Sequence, residues 1–142
     1  MSIPTLATIS VGDELPTIEM AFTRADLVAY AHASGDMNPI HQNENVARSV
    51  GLPDVIAHGM LTMGRAIQVV TNWLHDSTLV VDYSVRMTRP VVVPNTPEGV
   101  KVTFGGKVGA INENGTVRID LSAHFNDQTV LGQAKALVRL PQ

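Results

Sequence analysis

Apolar and polar positions follow two different periods along this chain, and the change falls near residue 77. Before it the spacing is mostly helical; after it nearly everything alternates. Residues Glu14 to Phe22 predict a short strand. Thr23 is then placed as an N-cap, with Asp26 at the third helical position completing an approximate capping box. The helix from Arg24 to Ser34 is expected to bury Leu27, Tyr30 and Ala31, and Gly35 supplies the left-handed residue that stops it. Pro39 bars the helical conformation at Asn38 and removes a backbone donor, so the loop Asp36 to His41 is expected to be extended and stiff. A second short helix, roughly Glu44 to Val50, closes at Gly51.

From Gly59 to Leu74 the residues Met60, Met63, Ile67, Val70 and Leu74 recur at steps of three and four, which is one face of a single helix. Leu61, Val69 and Trp73 add apolar surface off that face, so burial on more than one side is expected. Thr62, Gly64 and Ala66 are small and allow another backbone to come close. After Asp76, Leu79, Val81, Tyr83, Val85 and Met87 alternate with Val80, Asp82, Ser84, Arg86 and Thr88. Val100, Val102 and Phe104 continue the alternation, and Asn114-Gly115 is a strong hairpin turn leading into Ile119, Leu121, Ala123 and Phe125. Val130 to Leu140 reads as a last long strand. A helix apolar nearly all round, ahead of four long antiparallel strands, predicts an α+β fold in which an antiparallel sheet wraps around a central helix. The other sheet face is expected to be solvated or covered by a partner.

Length adds that residues 1–142 make one domain. Lys plus Arg is 10 and Asp plus Glu is 13, a net charge of −3, so the basic face of a nucleic-acid binder is not expected. Charged residues are 16% of the chain, below the usual ~25%, which suggests surface hidden by another subunit. The absence of cysteine excludes disulfides, thiolate catalysis and cysteine-built metal sites. Met1 to Asp13 does not read as a signal peptide, and Arg65, Gln68 and Asn72 interrupt the apolar helix, so no membrane span and a cytoplasmic location are expected.

Candidate chemistry concentrates in two places. Asp36-Met37-Asn38-Pro39-Ile40-His41 packs a carboxylate, an amide and an imidazole into one stiffened loop. If it curls, Asp36 and His41 can share a cleft as an acid–base pair with different intrinsic pKa values. Such loops are also ordinary turns, and Asn38 has that plainer reading. Asp36, His41 and His58 match no metal-ligand spacing, so no metal is expected. The second place is Ala57-His58-Gly59-Met60, where a helix N-terminus offers unpaired N–H groups and a glycine lets a ligand carbonyl approach. Gly59 could equally serve a tight junction and His58 a structural hydrogen bond. Arg65, in a largely apolar helix, either pairs with a carboxylate or marks a subunit seam.

These two segments carry a family resemblance. Tyr30-Ala31-His32-Ala33-Ser34-Gly35-Asp36-Met37-Asn38-Pro39-Ile40-His41 resembles the signature of MaoC-type R-specific enoyl-thioester hydratases and dehydratases. Val55-Ile56-Ala57-His58-Gly59-Met60-Leu61-Thr62-Met63-Gly64 resembles their second signature, and the whole is most similar to the HadB-type (3R)-hydroxyacyl-ACP dehydratase subunits of fatty acid elongation. The resemblance implies a hot-dog fold and reversible dehydration of (3R)-hydroxyacyl thioesters carried by an acyl carrier protein or CoA. It implies Asp36 and His41 as the catalytic pair and Gly59 as the holder of the thioester carbonyl. Asn38, Ile40 and Met60 are the further substrate-binding candidates, with Met63 added to the lining of an apolar acyl tunnel. It also implies a homodimer, or a heterodimer with a paralogous hot-dog subunit, and no cofactor. A hot-dog thioesterase and a non-catalytic acyl-binding subunit are the competing readings.

Overall fold

The computed structural model describes residues 2–142. Strand β1 (Glu14–Phe22) leads into α1 (Arg24–Ser34), and Thr23 and Asp26 form the reciprocal capping box between them. Gly35 closes α1 at φ 79°, a left-handed conformation that a side chain would strain. α2 (Glu44–Ser49) is capped by the Asn43 side chain and ends one residue before the sequence reading placed it. α3 (Gly59–Ala66) and α4 (Gln68–Leu74) form the central helical layer. Strands β2 (Val80–Met87), β3 (Val100–Ile111), β4 (Thr116–Phe125), β5 (Gln128–Thr129) and β6 (Leu131–Arg139) complete the chain.

All strand pairs are antiparallel, in the order β1-β3-β4-β6-β2, with two-residue β5 on β4. The hairpin between β3 and β4 turns at Asn114-Gly115, where Gly115 takes φ 83°. One sheet face presents Val102, Phe104, Ile119, Leu121, Ala123, Ala136 and Val138, all buried. Against it lie Ala66, Val69, Val70 and Leu74 of the central layer. The layers come close at Gly106, where a Cβ would stand 3.1 Å from the Val69 side chain and 3.4 Å from Ile119 and Leu121. This is the sheet around a helix expected of a hot-dog fold. β1 is an edge strand, and its register shifts between Leu15 and Ile18, around Pro16, as a proline without an N–H requires.

Three expectations need correction. The helix over Gly59 to Leu74 is two helices with a break at Ile67. The hydroxyl of Tyr83 donates to the Met63 carbonyl at 2.6 Å, and the Ile67 N–H reaches the same carbonyl only at 3.3 Å. A tight Val70 N–H to Ile67 carbonyl bond of 2.9 Å then reshapes the turn. The inward face is also rotated: Thr62, Ala66, Val69, Val70 and Leu74 are buried, whereas Met60 is 61% exposed and Met63 and Ile67 are half-buried. Within α3 the small Thr62 and Ala66 take the inward positions, and Met60 and Met63 lie off that face. Finally, the loop after Asn38 is not extended throughout, since Pro39–His41 form a 3-10 turn.

Smaller differences follow the same logic. Tyr30 is half-buried, and Val81 and Met87 of edge strand β2 are exposed. Arg65 has its carboxylate: it lies 3.6 Å from Asp26, donates to the Ala21 carbonyl at 2.7 Å and sits over the Phe22 ring. No helix among the described residues is long and apolar enough to cross a membrane.

Candidate active site

The loop after α1 is folded by its own short side chains. Asp36 Oδ1 accepts the Asn38 N–H and Asn38 Oδ1 accepts the Ile40 N–H, each at 3.2 Å. These are side-chain-to-backbone turns, the local chemistry of Asp and Asn. Pro39 then starts the 3-10 turn, which swings His41 inward to 8% exposure while Asp36 stays exposed. The plainer reading of Asn38 therefore holds for its side-chain oxygen.

The ring nitrogens of His41 are differentiated. Nδ1 lies 2.7 Å from the Ile56 carbonyl, and because a carbonyl only accepts, Nδ1 carries the proton in that contact. Nε2 is left with a lone pair. His58, at 1% exposure, is set likewise: Nε2 lies 3.1 Å from the Asp36 carbonyl, so it donates, and Nδ1 is buried without a hydrogen-bond partner. Burial pushes the His58 imidazole below its ordinary pKa, and His41 adds to that, so the ring is held neutral. The two imidazoles stack with centroids 3.8 Å apart and planes 24° from parallel, and Tyr30 meets His58 in an edge-type contact at 4.7 Å.

Asp36, His41 and His58 each offer an atom within 4.8 Å of the others, so the fold brings together a group whose spacing along the chain is unremarkable. The arrangement suits proton handling better than metal binding. A metal must lie near the plane of each ligating ring, and two stacked, nearly parallel rings share no such point at a bond length from both.

His41 opens onto a cavity of about 350 Å³. Ile56, Ala57, Gly59 and Thr62 form one wall; Met87 to Val91, Val130 and Leu131 form the other. α3 starts at this cavity. Leu61 and Thr62 N–H both donate to the His58 carbonyl, so Gly59 and Met60, at the positive end of the helix, lie ahead of its hydrogen-bond ladder. Gly59 has no side chain to obstruct that end; a Cβ there would press on Met87 at 3.1 Å. A larger cavity of about 630 Å³, between the chain start, β1 and α4 and including Trp73 and His75, shares no lining residue with this one.

Of the residues singled out in the sequence, His41 and Gly59 line the cavity, and Asp36 joins His41 from the loop. Asn38 is exposed, Ile40 half-buried, Met60 exposed and Met63 half-buried; none of the four is in the lining. Sequence reasoning passed over Val91, Val130 and Leu131, whose apolar character signals only core. It also left His58 undecided, and no pattern along the chain announces a stacked pair.

The comparisons agree with this architecture. The model of the MaoC like domain matches residues 8–124. A 3-hydroxyacyl-thioester dehydratase X of Mycobacterium tuberculosis is 40% identical over 81 residues, covering 57% of this chain and 28% of that protein. A 3-hydroxybutyryl-CoA dehydratase of Methylorubrum extorquens is 28% identical over 126 residues, covering 88% of this chain and 77% of that one. Among solved structures, a MaoC-like dehydratase superposes with a TM-score of 0.93 at 39% identity, over 98% of this chain and 43% of that one. An (R)-hydratase from A. caviae involved in PHA biosynthesis, at 23% identity, shares the fold with a TM-score of 0.81 over 94% of this chain and 98% of that chain. The present chain thus spans less than half the length of the first relative and of the first structure. With the family model covering most of its length and both signature segments meeting at one cavity, this chain belongs to the MaoC-like domain family.

Proposed function

We propose that residues 1–142 act as one hot-dog unit that interconverts (3R)-hydroxyacyl and trans-2-enoyl thioesters by removing or adding water. The observation that carries this reading is the convergence of an exposed carboxylate and an inward imidazole with a bare Nε2, beside a cavity that a helix N-terminus enters. Dehydration needs a base for the α-proton, an acid for the β-hydroxyl and stabilisation of an enolate oxygen. His41 Nε2 takes the α-proton and the C–H electron pair becomes the new double bond. The β C–O bond breaks, and Asp36, as a carboxyl group, gives its proton to the departing oxygen, so one water leaves. The pair thus carries a single proton, on Asp36 before the step and on His41 after it; hydration is the same path reversed. The Gly59 N–H, at the positive end of α3, holds the thioester oxygen as charge develops on it. Asn38 keeps the Asp36 loop in shape, and Ile40 and Met60 are the apolar residues this reading assigns to the acyl chain. No cofactor enters the chemistry. The carrier is an acyl carrier protein or CoA, in fatty acid elongation, and the location cytoplasmic.

The test is incubation of the purified chain with a crotonyl thioester, following loss of enoyl absorbance against release of free thiol. Loss of the enoyl signal with R product supports the reading. Thiol release without it establishes the thioesterase alternative, and formation of the S enantiomer overturns the stereochemistry.

The unit works as a dimer with a second hot-dog chain. β2 ends the sheet with one edge unpaired, Val81 and Met87 on it are 54% and 47% exposed, and Met60 is exposed on the neighbouring helix. An open edge with apolar neighbours is what sheet-to-sheet pairing buries. The same surface accommodates another copy or a paralogue; sedimentation as a stable monomer at micromolar concentration, alone and with the paralogue, would contradict the pairing.

A further inference from the structure

We propose that His58 is a positioning residue for the Asp36–His41 pair, holding the backbone that carries the carboxylate and the plane of the imidazole through a single ring. The inference rests on the reaction assigned above. Its geometry does not: Nε2 donates to the Asp36 carbonyl at 3.1 Å, one face stacks on His41 at 3.8 Å, and Tyr30 makes an edge-type contact with the ring at 4.7 Å. Asp36 has little else to fix it, because it is exposed and its remaining hydrogen bonds are to Ser34, at the end of α1, and Asn38 of its own loop.

A buried histidine is a poor choice for packing alone. Its Nδ1 is desolvated with no partner, an unfavourable state that an aromatic hydrocarbon in the same slot would avoid. What phenylalanine could not supply is the N–H to the Asp36 carbonyl. His58 is also unsuited to proton transfer in turnover, since its one bare nitrogen is sealed from solvent and its other is committed to a main-chain oxygen. The titratable groups facing it are Asp36, His41 and Tyr30. It therefore acts through His41 and Asp36.

His58→Phe keeps an aromatic plane and removes the donor, whereas His58→Gln keeps an amide donor and removes the plane. Each is compared with the unaltered chain in crotonyl thioester hydration and, without substrate, in an NMR titration of the His41 imidazole. The Phe variant is expected to keep its melting temperature, lose about tenfold or more in kcat with KM nearly unchanged, and shift the His41 resonances. The Gln variant is expected to recover several-fold in kcat over Phe. Unaltered kcat in the Phe variant, a loss confined to KM, or losses that track melting temperature while the His41 signals stay put would each overturn the proposal. If the unaltered chain hydrates no enoyl thioester, the assigned reaction fails, and the NMR comparison alone decides the positioning: a shift of the His41 signals supports it and none overturns it.

Discussion

The two ends of the central helical layer solve opposite problems. At α4 the layer sits directly on the sheet: Val69, Val70 and Leu74 are at most 1% exposed, and Gly106 opposes Val69 so closely that a Cβ there would crowd it at 3.1 Å. At the start of α3 the wall stands off from the sheet around a cavity, and three of the four buried polar residues, His41, His58 and Thr62, collect there. One end is apolar and close-packed; the other accepts buried polar groups, one of them unpartnered, and leaves Met60 in the open. Close packing and the candidate site thus fall on opposite sides of the break at Ile67.

Substitutions that separate turnover from stability test this division. The largest effect is expected from Asp36→Asn and His41→Ala, each losing ~100-fold or more in kcat while melting temperature holds. The double variant should be little worse than either alone, because the two act as a unit. Next comes Gly106→Val at the closed end. It should lower stability by about 1–3 kcal/mol through overpacking, measured by denaturant titration, with activity per folded molecule retained. Tyr83→Phe removes the hydrogen bond at the division itself. Burial raises this phenol to about 12, so it stays protonated and donating at any working pH, and its loss should cost about 1 kcal/mol without a pH-dependent component.

Smaller still is the effect of narrowing the cavity. Leu131→Phe should reduce kcat/KM for a long acyl thioester relative to a four-carbon one, by about 0.8 kcal/mol for each methylene excluded. Equal losses for both lengths would place the acyl chain elsewhere. The mildest test uses pH. His58 is neutral in the fold and its pKa is depressed by burial, so its contribution to stability is present above the unfolded value of ~6.5 and is lost as pH falls below it. Melting temperature should therefore decline more steeply below that pH in the unaltered chain than in His58→Phe.

What was legible in advance was local. The Thr23–Asp26 capping box, the left-handed Gly35 and the Asn114-Gly115 turn are each decided within a few residues, by one hydrogen bond or one φ angle. The alternation in β4 was equally readable because its inward face is fully buried. So were Asp36, His41 and Gly59 as candidates, since a proline-stiffened acid–imidazole loop and a glycine at a helix start are both patterns of sequence. Periodicity misplaced the central helix because it measures hydrophobicity and not clearance. Thr62 and Ala66 go inward and the longer Met60 stays out, although Met60 is the more apolar side chain.

The sequence by itself determined the start and end of α1, the β3–β4 turn and which side chains can move protons, because capping, turn chemistry and side-chain identity act over one or two turns of chain. Only the tertiary structure set a tyrosine, 16 residues further along the chain than Ile67, on the Met63 carbonyl beside the break, and formed the cavity wall from Val130 and Leu131, the latter the first residue of β6. It alone decided that His58, 22 residues from Asp36 in sequence, would lie against it. Those outcomes depend on which surfaces meet across the helix and the sheet, and separations in space of that kind leave no periodic trace along the chain.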